Sequence, residues 1–338
     1  MAAADGSSQY ADSKADVPQS SSVCGAMCNP LQTCPAFAGE FKSHPDRLSL
    51  WGVSKENQLW PHVYGTSPWF PETSPALMIV RTVLAIIFVV HLIWSVESYD
   101  LGRFWLIYLT HWTLVLETLY FILAAYAAWK GRRLLMSQAD TQKLADNAIP
   151  LPWFVKVTWI LFHVVMPVSM LVTFLYWTLL TPKKPTYLGC FVHGLNFVLC
   201  WADLFLGRSL YYVKHSVWFL AYVVLYLVWS LVHYAARVGT KVACDDPNNP
   251  DDGNVPQNEC AIYGVLSWRK AGSAAILSVI IVCCVAPLCQ LPLWYCVRAR
   301  NMSDKYKNPR SQPEISQPAE ISAPADSHVI QKVFEENP

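Results

Sequence analysis

The sequence predicts an all-α polytopic membrane protein, a helical bundle of about six transmembrane helices between disordered polar tails. Of its 338 residues, 54% are hydrophobic and only 14% are charged, which is outside the usual composition of soluble domains. Apolar runs of roughly twenty residues recur along the chain, the length that a membrane-spanning helix needs. Its 15 Trp and 16 Tyr supply rings of the kind that anchor helices at headgroup depth.

The apolar runs are long enough to cross about 30 Å of hydrocarbon as helices, which satisfy their own backbone hydrogen bonds. The predicted spans are at about 77–96, 104–128, 153–180, 187–207, 216–236 and 272–296. Pro167, Pro287 and Pro292 are expected to kink or end their helices.

The remaining segments are polar or interfacial in composition. Residues 1–40 and 298–338 lack apolar periodicity and are predicted to be disordered cytosolic tails on either side of a membrane domain at 77–297. The Trp- and Pro-rich segment 41–76 is typical of an interfacial approach to the membrane. No cleavable signal peptide is expected, because the first apolar run begins only near Leu77.

Two signals predict that both termini are cytosolic, in the plasma membrane or an endomembrane. The first is an excess of Lys and Arg at the span ends on the side of the termini. These residues are Lys130, Arg132, Arg133, Lys143, Arg208, Lys214, Arg298, Arg300, Lys305 and Lys307. The second is the loop in which Cys244 and Cys260 flank DDPNNPDDGN. A disulfide there would add about 3 kcal/mol and would form only in an oxidising compartment.

Two spans contain polar stripes with the same helical spacing. The second span has Thr110, Thr113, Glu117 and Tyr120, and the fourth has His193, Asn196, Cys200 and Asp203. Each set falls on one continuous face, and the two helices run in the same direction through the membrane. Since polar groups are costly in hydrocarbon, each stripe requires a partner or a function.

Thr110 and His193 are predicted to lie about two turns into their helices, near the outer leaflet, and to meet if the stripes face each other. The imidazole would then take the hydroxyl proton as Thr110 attacks an acyl carbon, and Asn196 would orient the ring or donate to an oxyanion. The alternative is that Thr110 bonds to its own helix while His193 and Asn196 fasten the bundle through interhelical hydrogen bonds.

The first span adds Arg81 to the charged stripe residues Asp203 and Glu117. Arg81 and Asp203 are predicted at a similar depth. Either they form an ion pair, or Arg81 extends to the headgroups while Asp203 accepts from Tyr120. Glu117 lies mid-span and is therefore protonated, paired or in contact with a polar cavity.

No metal or cofactor is predicted. The other spans contain His91, His163 and His233, whose spacing is not that of metal ligands. The tail cysteines Cys24, Cys28 and Cys34 do not match a zinc pattern, and they either stay free thiols or accept acyl chains. Cys296 is a juxtamembrane candidate for palmitoylation.

Several segments carry a family resemblance. SPWF precedes the first span, LMIVRTVLA lies within it, and IYLTHWTLVLETLYFILA, HGLNFVLCWADLFL and IYGVLSW follow in order. Over most of residues 60–297 the chain resembles the protein rolling stone family. The resemblance implies a multi-pass membrane protein, and the founding member is associated with myoblast fusion. The chain departs from the family pattern at Ser267, where an Asp is usual, and in its long Cys-rich N-terminal tail.

The chain also resembles, more distantly, the androgen-induced family of membrane hydrolases. That family cleaves fatty acid esters of hydroxy fatty acids with an intramembrane Thr and His, which Thr110 and His193 match by position. The resemblance implies the same pair of roles for these two residues.

These observations leave three function classes open. The leading hypothesis is a rolling-stone-like membrane protein with a threonine/histidine site for lipid carboxylic esters. Its expected partners are the bilayer and a fatty-acyl ester. The alternative is a non-enzymatic protein of cell–cell interaction or myoblast fusion. A proton-coupled transporter using Glu117 is disfavoured, because no inverted repeat of broken helices is visible. The net charge of +1 gives no argument for a nucleic-acid partner.

Overall fold

The computed structural model describes residues 60–98, 102–137, 151–180, 186–240, 258 and 260–307, with side chains up to Arg300 and without that of Arg103. Within these ranges the chain is an all-α bundle, and six helices are long and apolar enough to cross a membrane, which confirms the predicted fold class. Spans 1 to 6 are Ala76–Ser98, Leu109–Met136, Trp153–Leu180, Tyr187–Leu206, Val213–Ala235 and Gly264–Arg300. Both predicted tails up to residue 40 and beyond 307, and Cys24, Cys28, Cys34 and Cys244, lie outside the described residues.

Span 2 differs most from its predicted limits. It was expected at 104–128, but residues Gly102–Ile107 form a 3₁₀ helix and the α-helix is Leu109–Met136. The extension past 128 is held by a short helix, Trp60–Gly65, that packs on it. At Gly131 an added Cβ would lie 2.9 Å from the carbonyl oxygen of Pro61. This backbone contact continues the helix into what was predicted to be a polar link.

The short helix belongs to the Trp-rich segment 41–76, which was predicted to lie at the membrane interface. Trp60 and Tyr64 are each 3% exposed, and the ring of Trp60 meets that of Phe154 edge-on at 5.7 Å. Ala127 and Val155 complete this cluster. The end of the segment predicted as interfacial is therefore packed against spans 2 and 3.

Three spans contain a π-helical turn, a local widening that is common at functional sites. The turns are Tyr176–Leu180, Phe191–Leu195 and Ile281–Val285. The last directly precedes Pro287, whose ring would clash with the carbonyl of a regular preceding turn. Pro167 and Pro292, by contrast, lie inside continuous helices, so neither ends its helix. The final helix, Ala286–Lys307, continues past the predicted span end at 296.

A buried ion pair joins spans 1 and 4. Arg81 Nε donates to Asp203 Oδ1 at 2.7 Å and Nη2 to Oδ2 at 3.3 Å, and both side chains are 0% exposed. Arg81 therefore does not extend to the headgroups. Tyr120 of span 2 also donates to Asp203, at 2.6 Å, and Arg81 Nη1 donates to the carbonyl of Tyr64 at 3.1 Å. The ion pair with Arg81 and the hydrogen bond from Tyr120, which the sequence offered as alternatives for Asp203, therefore both occur in one network.

Arg81→Met should lower the thermal stability of the protein in detergent, because it leaves the Asp203 carboxylate buried without a cation. Breaking such a pair costs about 3–5 kcal/mol. The double variant Arg81→Met, Asp203→Leu should recover most of that loss, since no lone charge remains. Arg133→Met, at an exposed arginine of span 2, is the matched control and should melt near the wild type. Equal melting temperatures for Arg81→Met and Arg133→Met would contradict this account.

Candidate functional site

The polar stripes of spans 2 and 4 face each other over most of their length. Asn196 Nδ2 donates to Glu117 Oε1 at 3.0 Å, and Cys200 Sγ lies 4.0 Å from the same oxygen. Tyr120 and Asp203 form the next level. Both sets of positions advance in the same direction, so the two helices are parallel, as predicted from the intervening span.

Asn196 does not have its predicted role. It was expected to orient His193 or to donate to an oxyanion, but its amide is bound to Glu117 and it does not line the cavity described below. Thr113, the remaining stripe residue of span 2, is bonded to the hydroxyl of Tyr222 in span 5 at 3.2 Å. The middle of each stripe therefore fastens helices.

The end of the stripes that carries Thr110 and His193 opens into an apolar cavity of about 700 Å³, measured with its open mouth. It lies among spans 2 to 6 and the loop before span 6. Its aliphatic wall includes Leu171, Val172, Leu175, Leu179, Val223 and Leu277. Its polar wall consists of Thr110, Tyr176, His193, Tyr226 and Tyr263. The mainly aliphatic wall is suited to an acyl chain.

Thr110 lies in the first turn of its helix rather than two turns in, because the 3₁₀ helix precedes it. Its hydroxyl lies close enough to that of Tyr263 to affect the pKa of the phenol, and it does not bond to His193. Backbone N–H groups of a first turn lack partners within the helix and give it a partial positive charge. Thr110 therefore lies where negative charge on its oxygen would be stabilised.

His193 lies within the π-helical turn Phe191–Leu195. Its ring stacks on Tyr176, with centroids 3.6 Å apart and planes 5° from parallel, and Trp177 Nε1 donates to its carbonyl at 2.9 Å. Among the described residues, its Nδ1 has no hydrogen-bond partner although it is buried. The ring is held in position while one nitrogen stays available for a proton.

Tyr263 and Tyr226 were not predicted as site residues. Tyr263 accepts the N–H of Leu109 at 3.1 Å, and its hydroxyl lies near those of Tyr226 and Thr110. Burial raises the pKa of Tyr263 to about 12, although the N–H of Leu109 opposes part of the shift. Tyr263 belongs to the motif IYGVLSW, but no local pattern in that motif indicates that this loop folds over span 2.

The remaining sequence-based predictions have varied outcomes. Cys260 is 5% exposed and is not among the free cysteines of the described residues. Its pairing with Cys244 stays a prediction, because Cys244 is not described. Cys296 is a partly exposed free thiol, and its acylation stays a prediction. No group of three His, Cys, Asp or Glu side chains suited to a metal ion occurs in the ranges that the structure describes.

The chain was compared with known proteins. No family model, curated protein or solved structure matches it.

Glu117→Ala should destabilise the protein by about 1–3 kcal/mol, because the buried amide of Asn196 loses its acceptor. Glu117→Gln retains a carbonyl oxygen at that position and should stay near the wild type, since an ionised carboxylate without a cation is costly in hydrocarbon. Thermal unfolding in detergent measures both. If Glu117→Gln melted as low as Glu117→Ala, Glu117 would be required as a charged group, and its assignment as a neutral acceptor would be wrong.

Proposed function

We propose that the chain is a rolling-stone-like multi-pass membrane protein that hydrolyses carboxylic esters of lipids at the cavity shared by Thr110 and His193. One observation carries the proposal: a threonine hydroxyl and a histidine with an available buried nitrogen line the same apolar cavity. An alcohol is a weak nucleophile unless a base takes its proton, and imidazole is the usual base. Both groups are present, and the cavity suits an acyl chain.

In the proposed reaction, Thr110 Oγ1 attacks the acyl carbon and its proton passes to His193 Nδ1. Thr110 and His193 come into contact when substrate enters, as catalytic contacts often tighten only in the substrate complex. Collapse of the intermediate releases the alcohol, which takes the proton from His193. Water, activated by the same imidazole, then frees the fatty acid and restores Thr110.

Two features of the fold support this chemistry. The first-turn position of Thr110 favours an oxygen that carries developing negative charge. The stack of His193 on Tyr176 fixes the plane of the imidazole, so that little reorientation is needed before proton transfer. Together they prepare a nucleophile and a base that line the same cavity.

The proposed substrate class follows from the lining. The described lining has no Lys, Arg, Asp or Glu side chain, so the ester and its acyl chain would occupy the cavity while a charged headgroup stays at the membrane surface. With both termini cytosolic, as proposed from the Lys/Arg bias, the cavity would open towards the outer leaflet of the plasma membrane or an endomembrane.

A second candidate function is a non-enzymatic role in cell–cell interaction or membrane fusion. It is favoured by the lack of a hydrogen bond between Thr110 and His193 within the described residues, and by the stripe residues that fasten helices. In that case the cavity would hold lipid without reaction. The two functions differ in whether Thr110 reacts.

A fluorophosphonate probe should label the wild-type protein in detergent, while Thr110→Ala and His193→Gln should abolish labelling by removing nucleophile and base. Matched controls are Thr113→Ala, one turn along the same helix but outside the cavity, and His233→Gln, whose ring bonds to Gly239 in the wild type. Both should be labelled normally. Equal labelling of wild type and Thr110→Ala would end the hydrolase proposal in favour of the non-enzymatic one.

A further inference from the structure

Tyr263 is placed unusually for a loop residue. It directly precedes span 6, at Gly264, yet its side chain reaches the start of span 2, where its hydroxyl accepts the N–H of Leu109 and lies close to that of Thr110. Like Thr110, it lines the cavity. The nucleophile proposed above therefore has a second hydroxyl beside it, from a distant part of the chain.

The hydrogen bonds around Tyr263 determine where its proton can go. Tyr226 donates its own proton to the carbonyl of Ile107 at 2.9 Å, so towards Tyr263 it can only accept. The Tyr263 oxygen already accepts from Leu109. The phenol proton can therefore be donated either to the hydroxyl oxygen of Tyr226 or to an oxygen atom beside Thr110.

We propose that Tyr263 is a catalytic residue of this site, whose phenol donates a hydrogen bond to the oxyanion formed when Thr110 bonds to an acyl carbon. The inference rests on the proposed hydrolase function. In a tetrahedral intermediate the oxyanion and the threonine oxygen are bonded to the same carbon, so a hydroxyl in contact with one is within reach of the other. Only rotation of the phenol O–H is needed, from Tyr226 to the oxyanion.

The step balances within the site. A bond forms between Thr110 Oγ1 and the acyl carbon, the π electron pair of the carbonyl moves to its oxygen, and the threonine proton passes to His193. Tyr263 donates a hydrogen bond without losing its proton. When the carbonyl re-forms, the bond to the alcohol breaks, the alcohol takes the proton from His193, and Tyr263 returns to Tyr226.

The phenol is suited to this task because it stays protonated. Burial raises the pKa of Tyr263 to about 12, so the hydroxyl remains a donor across the physiological range. A preorganised donor in a water-poor site acts mainly on the transition state, and removing one typically lowers kcat by about 10²–10³-fold. The substrate ground state gains little from the same bond, so KM should change far less.

The test is hydrolysis of 4-methylumbelliferyl oleate by purified full-length protein. Tyr263→Phe should lower kcat by about 10²-fold or more with KM within about threefold. Tyr222→Phe is the matched control, because it removes a buried tyrosine hydroxyl that bonds to Thr113 on the same helix but does not line the cavity. It should retain wild-type kcat. Melting temperatures of both variants report any loss of fold.

A second variant separates a catalytic donor from a structural one. Replacing Tyr263 with 3,5-difluorotyrosine retains the shape and makes the phenol more acidic. If the phenol donates to the oxyanion, the alkaline limb of the kcat profile should move to lower pH, because the donor is lost at lower pH. A purely structural tyrosine would leave the limb where it is. If Tyr263→Phe does not fold, the pH profile of this variant still tests whether the phenol acts as a catalytic donor.

The outcomes distinguish this inference from the function on which it rests. If Thr110→Ala abolishes turnover while Tyr263→Phe and the difluorotyrosine variant match the wild type, the role of Tyr263 is wrong and the hydrolase stands. If the wild type shows no Thr110-dependent turnover, both are overturned. Loss of kcat in Tyr263→Phe, together with the shifted pH limb, supports the role.

Discussion

The register between spans 2 and 4 determines the rest of the structure. In hydrocarbon, a polar side chain has no water to bond with, so it pairs with another span or carries a large free-energy cost. Asp203 accepts from Arg81 and from Tyr120, and Glu117 accepts from Asn196. These contacts fix the two helices against each other at successive levels. A shift by one residue would break all of them together.

The same register places the two candidate reactive side chains at one end of the bundle. With the levels of Asp203 and Glu117 paired, the stripe residues left over are Thr110 and His193, and both reach the apolar cavity. The π-helical turn that contains His193 turns its ring onto Tyr176 rather than along the regular helix face. Different levels of the stripes therefore serve the stability of the bundle and the proposed reaction. The levels of Glu117 and Asp203 bond the spans to each other, whereas the level of Thr110 and His193 retains an available nitrogen and an apolar cavity.

Much of this arrangement could be predicted from the sequence, because hydrophobic length and helical spacing are local properties. The six spans and the facing stripes follow from them. Features that depend on packing could not be predicted. Span 2 continues to Met136 because a short helix packs at Gly131, and Thr110 begins a helix because a 3₁₀ turn precedes it. Asn196 bonds to Glu117 instead of His193, and Tyr263 enters the site from a loop far along the chain. Spacing within one helix carries no information on such partners.

The central claim is that the two facing stripes bring positions 110 and 193 to one cavity. It is tested most directly with dibromobimane, which becomes fluorescent only when both of its ends alkylate nearby thiols. The reagent would be applied to Thr110→Cys, His193→Cys protein in a background without other reactive cysteines. The account predicts fluorescence for this pair and none for Thr110→Cys, Val198→Cys, since Val198 is 55% exposed on the outside of the bundle. Fluorescence from the second pair and not the first would contradict it.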